Sequence, residues 1–189
     1  MSVLGMVEYN SIAIGIHASD AMVKAAPIEL IESHPIDPGK YLSAVTGDVA
    51  SVEASVKAGV DAAGPGAVVY SFVLPNLHEQ ILPALKGTRK ISGPSAVGVL
   101  ETRSAASIVV AADAACKAAP VRLVTLHLAL RIGGKGYTTF TGEVADVEAG
   151  VAAGAHEAGD DLLQHVVIPN PYDEILDRLN SPDSYWRGG

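Results

Sequence analysis

Residues Leu4 to Leu30 align without a gap on residues Val97 to Leu123, and this internal duplication constrains the fold more than any other feature of the chain. Gly5 matches Gly98, Glu8 matches Glu101, Ser11 matches Ser104, Asp20 matches Asp113, and Lys24-Ala25-Ala26-Pro27 matches Lys117-Ala118-Ala119-Pro120. Downstream, Gly39-Lys40 answers Gly134-Lys135, Thr46-Gly47-Asp48-Val49 answers Thr141-Gly142-Glu143-Val144, and Pro75-Asn76 answers Pro169-Asn170. The period of about 93 to 95 residues far exceeds the roughly 20 to 50 of solenoid units, so each copy is expected to be a domain. The expected division is 1–93 and 94–180, with 181–189 as a C-terminal tail.

With 189 residues, 49% of them apolar, the chain has enough hydrophobic side chains for two compact cores. No apolar run reaches the ~18 residues of a membrane span, and Met1 to Ser11 lacks the basic and apolar regions of a secretion signal, so a cytoplasmic location is expected. The single cysteine, Cys116, excludes an internal disulfide framework. A net charge of -8 argues against a nucleic-acid footprint, which needs clustered Lys and Arg.

Each copy reads strand, helix, strand, strand, helix, strand, short helix. Leu4 to Glu8 is a short apolar strand. The following helix carries Ile12, Ile16, Ser19 and Val23 at helical spacing, expected to face inward; Ala105, Val109, Ala112 and Cys116 are the matching positions. Pro27 and Pro120 end these helices, because proline supplies no N–H and clashes with the preceding turn. Ile28 to Ser33 and Tyr41 to Val45 read as strands around a loop from His34 to Lys40. Asp48 is a candidate N-cap for a helix that turns Val49, Val52 and Val56 inward, and Glu143 leads its equivalent with Val144, Val147 and Val151. Ala67 to Leu74 and Leu162 to Ile168 are the last strands, and Gln80 to Leu85 and Glu174 to Leu179 the closing helical turns. The order is that of an α+β, ferredoxin-like fold, an antiparallel sheet with helices on one side.

The phrases G-x-x-E, A-D-A-x-x-K-A-A-P, G-D-V and V-x-P-N, found in order and twice, resemble the bacterial microcompartment shell domain. That family forms hexagonal tiles enclosing a protein organelle, and a tandem copy implies its trimeric class, in which three chains make a pseudohexamer with a central pore. The expected function is that of a structural shell protein, not an enzyme, whose pore controls the passage of small metabolites. The expected partners are a homotrimer, other microcompartment shell proteins and encapsulated enzymes, with no nucleic acid and no membrane. By the resemblance, Ile36, Asp37, Pro38 and Gly39 of the first copy and Ile132, Gly133, Gly134 and Lys135 of the second line the pore. Lys24 and Lys117 stand at the tile edge, together with Asn76 and Asn170, where the family commonly has arginine.

The loops are similar to those of the tandem shell proteins of propanediol utilization, in which a cysteine at the position of Asp37 ligates an iron–sulfur cluster on the three-fold axis. Here no cysteine stands in that loop, so no cluster, no other cofactor and no metal is expected. Cys116 is expected to be a small buried hydrophobe. Asp37 is expected either to converge on the axis with its two symmetry mates or to bond to backbone N–H groups of its own turn. Gly133-Gly134-Lys135-Gly136 runs into the strand-like Tyr137 to Phe140, so no helix N-terminus stands behind it to hold a phosphate. Histidines 17, 34, 78, 127, 156 and 165 form no metal-binding spacing. Ser11 and Ser104 read as helix caps, and Glu8 and Glu101 as partners in a structural hydrogen bond or charge pair. The alternative is a stand-alone trimeric small-molecule-binding or regulatory protein with tandem ferredoxin-like domains.

Overall fold

The computed structural model describes residues 3–85, 87, 93 and 95–179. The tail from 181 lies outside the described residues. The first copy consists of β1 (Leu4–Tyr9), α1 (Ile12–Ala25), β2 (Glu29–Ile36), β3 (Lys40–Thr46), α2 (Val49–Ala63), β4 (Val68–Leu74) and α3 (Ile81–Leu85). The second repeats it as β5 (Ala96–Thr102), α4 (Ala105–Ala118), β6 (Arg122–Leu128), β7 (Gly136–Gly142), α5 (Val144–Ala158), β8 (Leu162–Pro169) and α6 (Asp173–Leu179), with one 3-10 turn at Gly159–Asp161. Each copy forms a four-stranded antiparallel sheet, ordered β2-β3-β1-β4 and β6-β7-β5-β8.

Local chemistry starts and stops the helices at the expected places. Ser11 and Ser104 accept from the N–H groups of Ile14 and Ser107, and Asp48 accepts from the Ser51 N–H at 3.0 Å and its hydroxyl at 2.6 Å. Glu143 occupies the cap position without such a bond and accepts instead from the Ser95 hydroxyl at 3.0 Å. The Ser51 bonds hold the Asp48 carboxyl below its ordinary range. Asp48 therefore stabilises the fold above the unfolded carboxyl's pKa, and the contribution disappears as pH falls through the lowered value. Asp48→Ala is expected to melt below the parent at neutral pH, the gap in thermal melts closing as the solution is acidified.

Alternation along β1 divides the core. Gly5, Val7 and Tyr9 face α1 and α2: a Cβ on Gly5 would meet Val52 and Val56 at 2.6 Å, and the Tyr9 hydroxyl donates to the Met22 sulfur. Leu4 and Met6 face the other way and share a hydrophobic cluster with Leu42, Ala44, Ile81, Ala84 and the α4 residues Ala105, Val109 and Ala112. The outer face of the first sheet thus rests on a helix of the second copy, which is why all six residues of β1 are buried.

Three expectations are corrected. Of the four α1 positions expected inward, Ser19 is buried but Ile12, Ile16 and Val23 are exposed; Gly15, Ala18, Ser19 and Met22 form the inner face, with Gly15 pressed on the Tyr41 ring. Val49, the first residue of α2, is exposed while Val52 and Val56 are buried. The loop expected from His34 to Lys40 shrinks to residues 37–39, because β2 runs on through Pro35, which an edge strand tolerates.

Candidate assembly interface and pore

The two first helices occupy equivalent places in their own domains, yet eleven of the 14 residues of α4 are buried against four of the 14 of α1. The extra burial of α4 comes from the first copy. Ala105 and Val109 are 0% exposed and Cys116 6%, whereas their counterparts Ile12, Ile16 and Val23 are 38%, 55% and 47% exposed. The same imbalance recurs elsewhere: Ile81 of α3 is fully buried against β6, while its counterpart Ile175 of α6 is exposed, and Leu123 is buried while Leu30 is exposed. One interface is complete inside the chain. The matching surfaces on α1 and α6 are exposed.

Specific polar contacts fasten the completed seam. Glu8 is fully buried; it pairs with Lys40, and its other oxygen accepts from the N–H of Ala106 in the first turn of α4 at 2.9 Å, a site that favours a negative charge. Lys40 also donates to the carbonyl of Gly134 at 3.1 Å. Asp113, itself paired with Lys117 at 2.5 Å, accepts from the His78 N–H at 2.7 Å. The Gln80 amide donates to the Val121 carbonyl and accepts from the Leu123 N–H, both at 2.9 Å. In the second copy the equivalent Glu101–Lys135 pair, 2.7 Å long, is half-exposed.

The loop from β2 to β3 and the loop from β6 to β7 meet at one end of this seam. The Asp37 carboxylate accepts from the Arg131 N–H at 2.5 Å, so it fastens the loop of the other copy and not its own turn. Gly134 is buried between them at φ +82°, and a Cβ there would lie 2.7 Å from both the Asp37 carbonyl and Pro38. Its counterpart Gly39, at φ +93°, has nothing within 4 Å of the same position. Pro38, Gly39, Gly133 and Lys135 are exposed, and Asp37 and Ile132 are partly so. Ile36, expected to line the pore, is corrected to a core position: as the last residue of β2 it is 3% exposed and joins the cluster under α4. Arg131 was not anticipated, because its left-handed backbone at φ 63° places its N–H toward a residue 94 positions away.

Lys24, paired with Asp20 at 2.6 Å, and Lys117 both lie in the last turns of their helices with exposed ammonium groups. Asn76 is exposed in the turn after β4; Asn170, also exposed, has a left-handed backbone and donates its N–H to the Ser95 carbonyl. His34 and His127 line one cavity of about 390 Å³ between the outer face of the first sheet, α3 and β6. Cys116 is buried in the seam. No helix among the described residues is long and apolar enough to cross a membrane.

The BMC domain family matches residues 3–77 and 96–171, one match in each copy. The bacterial microcompartment shell protein PduT of Citrobacter freundii is 41% identical over 91% of this chain and 94% of its own length. The shell protein EutM of Escherichia coli K12, 41% identical, aligns over 46% of this chain and 95% of itself, so one copy here corresponds to nearly all of that protein. A crystal structure of a microcompartment protein from Desulfitobacterium hafniense DCB superposes with a TM-score of 0.80 and 46% identity, covering 93% of this chain and 98% of the other. With both copies matched and a full-length relative this similar, the chain belongs to the bacterial microcompartment shell proteins as a tandem BMC-domain member, a structural component of the shell.

Proposed function

We propose that three chains close head to tail into a pseudohexagonal tile in the shell facet, domains 1–93 and 94–180 alternating round a pore that passes small metabolites. The observation that carries this is the unpaired seam. Each chain offers on one side α1 and the edge strand β2, and on the other α6 with the outer face of the second sheet. Joining these halves between chains repeats the contact already made within the chain. A surface that binds a different surface of an identical molecule closes into a ring when the rotation allows. Three chains supply six domains. Light scattering at micromolar concentration is expected to give the trimer mass, and a stable monomer would refute the ring.

Around such an axis the loops of the two kinds alternate. Asp37, Pro38 and Gly39 from one copy and Ile132, Gly133 and Lys135 from the other would border the opening. One Asp37 carboxylate per chain, with Arg131 beside it, sets the charge at the rim. Asp37→Ala is expected to alter ion passage through reconstituted tiles.

At the tile edge, Lys24 and Lys117 act in contact between tiles, alongside Asn76 and Asn170. Lys117→Ala would also strip the nearly buried Asp113 of its ion-pair partner, so the cleaner test is Lys24→Ala, whose exposed pair with Asp20 adds little to stability. That variant is expected to keep the trimer while forming fewer hexagonal sheets by electron microscopy. Unchanged sheets would leave Lys24 only a solvated side chain. Other shell proteins and encapsulated enzymes are the remaining partners this reading implies.

A further inference from the structure

The two seams are not chemically equal, and the difference falls on one side chain. The phrase Pro75-Asn76-Leu77-His78-Glu79-Gln80-Ile81-Leu82 is matched by Pro169-Asn170-Pro171-Tyr172-Asp173-Glu174-Ile175-Leu176, so Glu174 stands where Gln80 stands. Within the chain, Gln80 spans the start of edge strand β6 with one donated and one accepted hydrogen bond, to the Val121 carbonyl and from the Leu123 N–H. The matching groups at the start of β2 are the Ile28 carbonyl and the Leu30 N–H. An ionised carboxylate can accept from the second but has nothing to donate to the first. A protonated carboxyl carries an O–H and a C=O, the same donor and acceptor pair as the amide.

We propose that the seam between chains is tightened by acid, Glu174 taking up a proton as it docks on strand β2 of the neighbouring chain. This rests on the head-to-tail ring proposed above. Carboxylates outnumber cationic side chains among the other charged groups at the seam. On α6, Asp173 and Asp177 flank Glu174, with Arg178 one turn on as the cation of that helix. From the neighbouring chain come Glu29, Glu32 and His34 of β2, and His17, Asp20 and Lys24 of α1. Lys24 is already held by Asp20, and His34 lies 3.4 Å from Glu32. Glu29 occupies the place of Arg122, so the seam between chains has a carboxylate where the seam within the chain has a guanidinium. Desolvation and like charge both favour the neutral carboxyl.

A group whose pKa rises on association takes up protons on association, so the trimer is favoured as pH falls. Between the free and the docked pKa the effect is about tenfold per seam for each pH unit. Sedimentation velocity on the full chain and on Glu174→Gln across pH 5 to 8 tests this. The expected result is that the parent trimer loosens toward pH 8 while the variant stays tighter there and has a flatter pH profile. The histidines and remaining carboxylates are common to both proteins, so the difference between the two profiles isolates Glu174. As a reciprocal measurement, Gln80→Glu is expected to lower the melting temperature of the chain more at pH 8 than at pH 5. Trimers with the same pH profile in parent and Glu174→Gln would overturn the proposal and leave the ring standing. Absence of trimers in both proteins at every pH would overturn the ring and this proposal with it.

Discussion

Ile16→Asp is expected to leave the chain folded and abolish its trimer, whereas Val109→Asp, at the matching position of the other copy, is expected to prevent folding. Ile16 is 55% exposed on α1, and surface substitutions away from special contacts usually change stability by less than about 0.5 kcal/mol. In the ring it would be buried as Val109 is, and burying an Ile side chain is worth roughly 1.5–3 kcal/mol at each of three seams. A buried, unpaired aspartate reverses that gain and adds the cost of desolvating a charge. Val109 is 0% exposed in the chain itself, so its replacement incurs both costs during folding. Circular dichroism and light scattering on the two variants check the pair of outcomes. A folded, fully trimeric Ile16→Asp would show that α1 is not a face of the seam.

The glutamates of the duplicated first strand are expected to behave as differently as the isoleucine and the valine. Glu8→Ala removes the partner of Lys40, whose side chain is only 15% exposed, and strips the Ala106 N–H of its acceptor. Breaking a buried ion pair from one side costs about 3–5 kcal/mol, a large part of a domain's stability. Glu101→Ala breaks a half-exposed pair and is expected to cost no more than about 1 kcal/mol in the separate chain. Its larger effect should fall on trimer formation, since Glu101 in the ring would meet the first turn of α1 as Glu8 meets that of α4. Urea denaturation of dilute protein, followed by sedimentation, separates the two effects. Equal losses of chain stability would contradict the distinction between a finished and an open seam.

The element order was legible because duplication supplied two readings of one fold, each with its own punctuation: Ser11 and Ser104 at the helix starts, Pro27 and Pro120 beyond their ends. The inner face of α1 was misread for a physical reason. Ile12, Ile16 and Val23 do form an apolar stripe, but it is a second stripe, facing out of the chain. The stripe facing in is made of Gly15, Ala18, Ser19 and Met22, with a glycine where Tyr41 lies directly against the helix. Periodicity cannot separate a core face from an assembly face when both are apolar. The partners of Asp37 and Glu8 were invisible for a different reason, since Asp37 to Arg131 and Glu8 to Ala106 join residues 94 and 98 positions apart. Gln80 did leave a signal. Amid a well-matched phrase, an amide facing a carboxylate across the repeat marks a place where the two copies have different work.

The rest of the first sheet on α4 also has a kinetic consequence, because it is made by tethered partners. Two copies joined by a short stretch of chain meet at an effective concentration in the millimolar range, whatever the dilution of the protein. In the proposed ring, half of the domain contacts would therefore be formed by a first-order step, before any two molecules collide. A ring built from unlinked single domains would have to gather six bodies from solution. The tandem chain would have to gather three, each already carrying an oriented pair, so the concentration at which rings first appear should be correspondingly lower. The linkage would also fix the sequence of copies around the proposed opening: an unrelated domain could not take one place in the ring without displacing a whole pair.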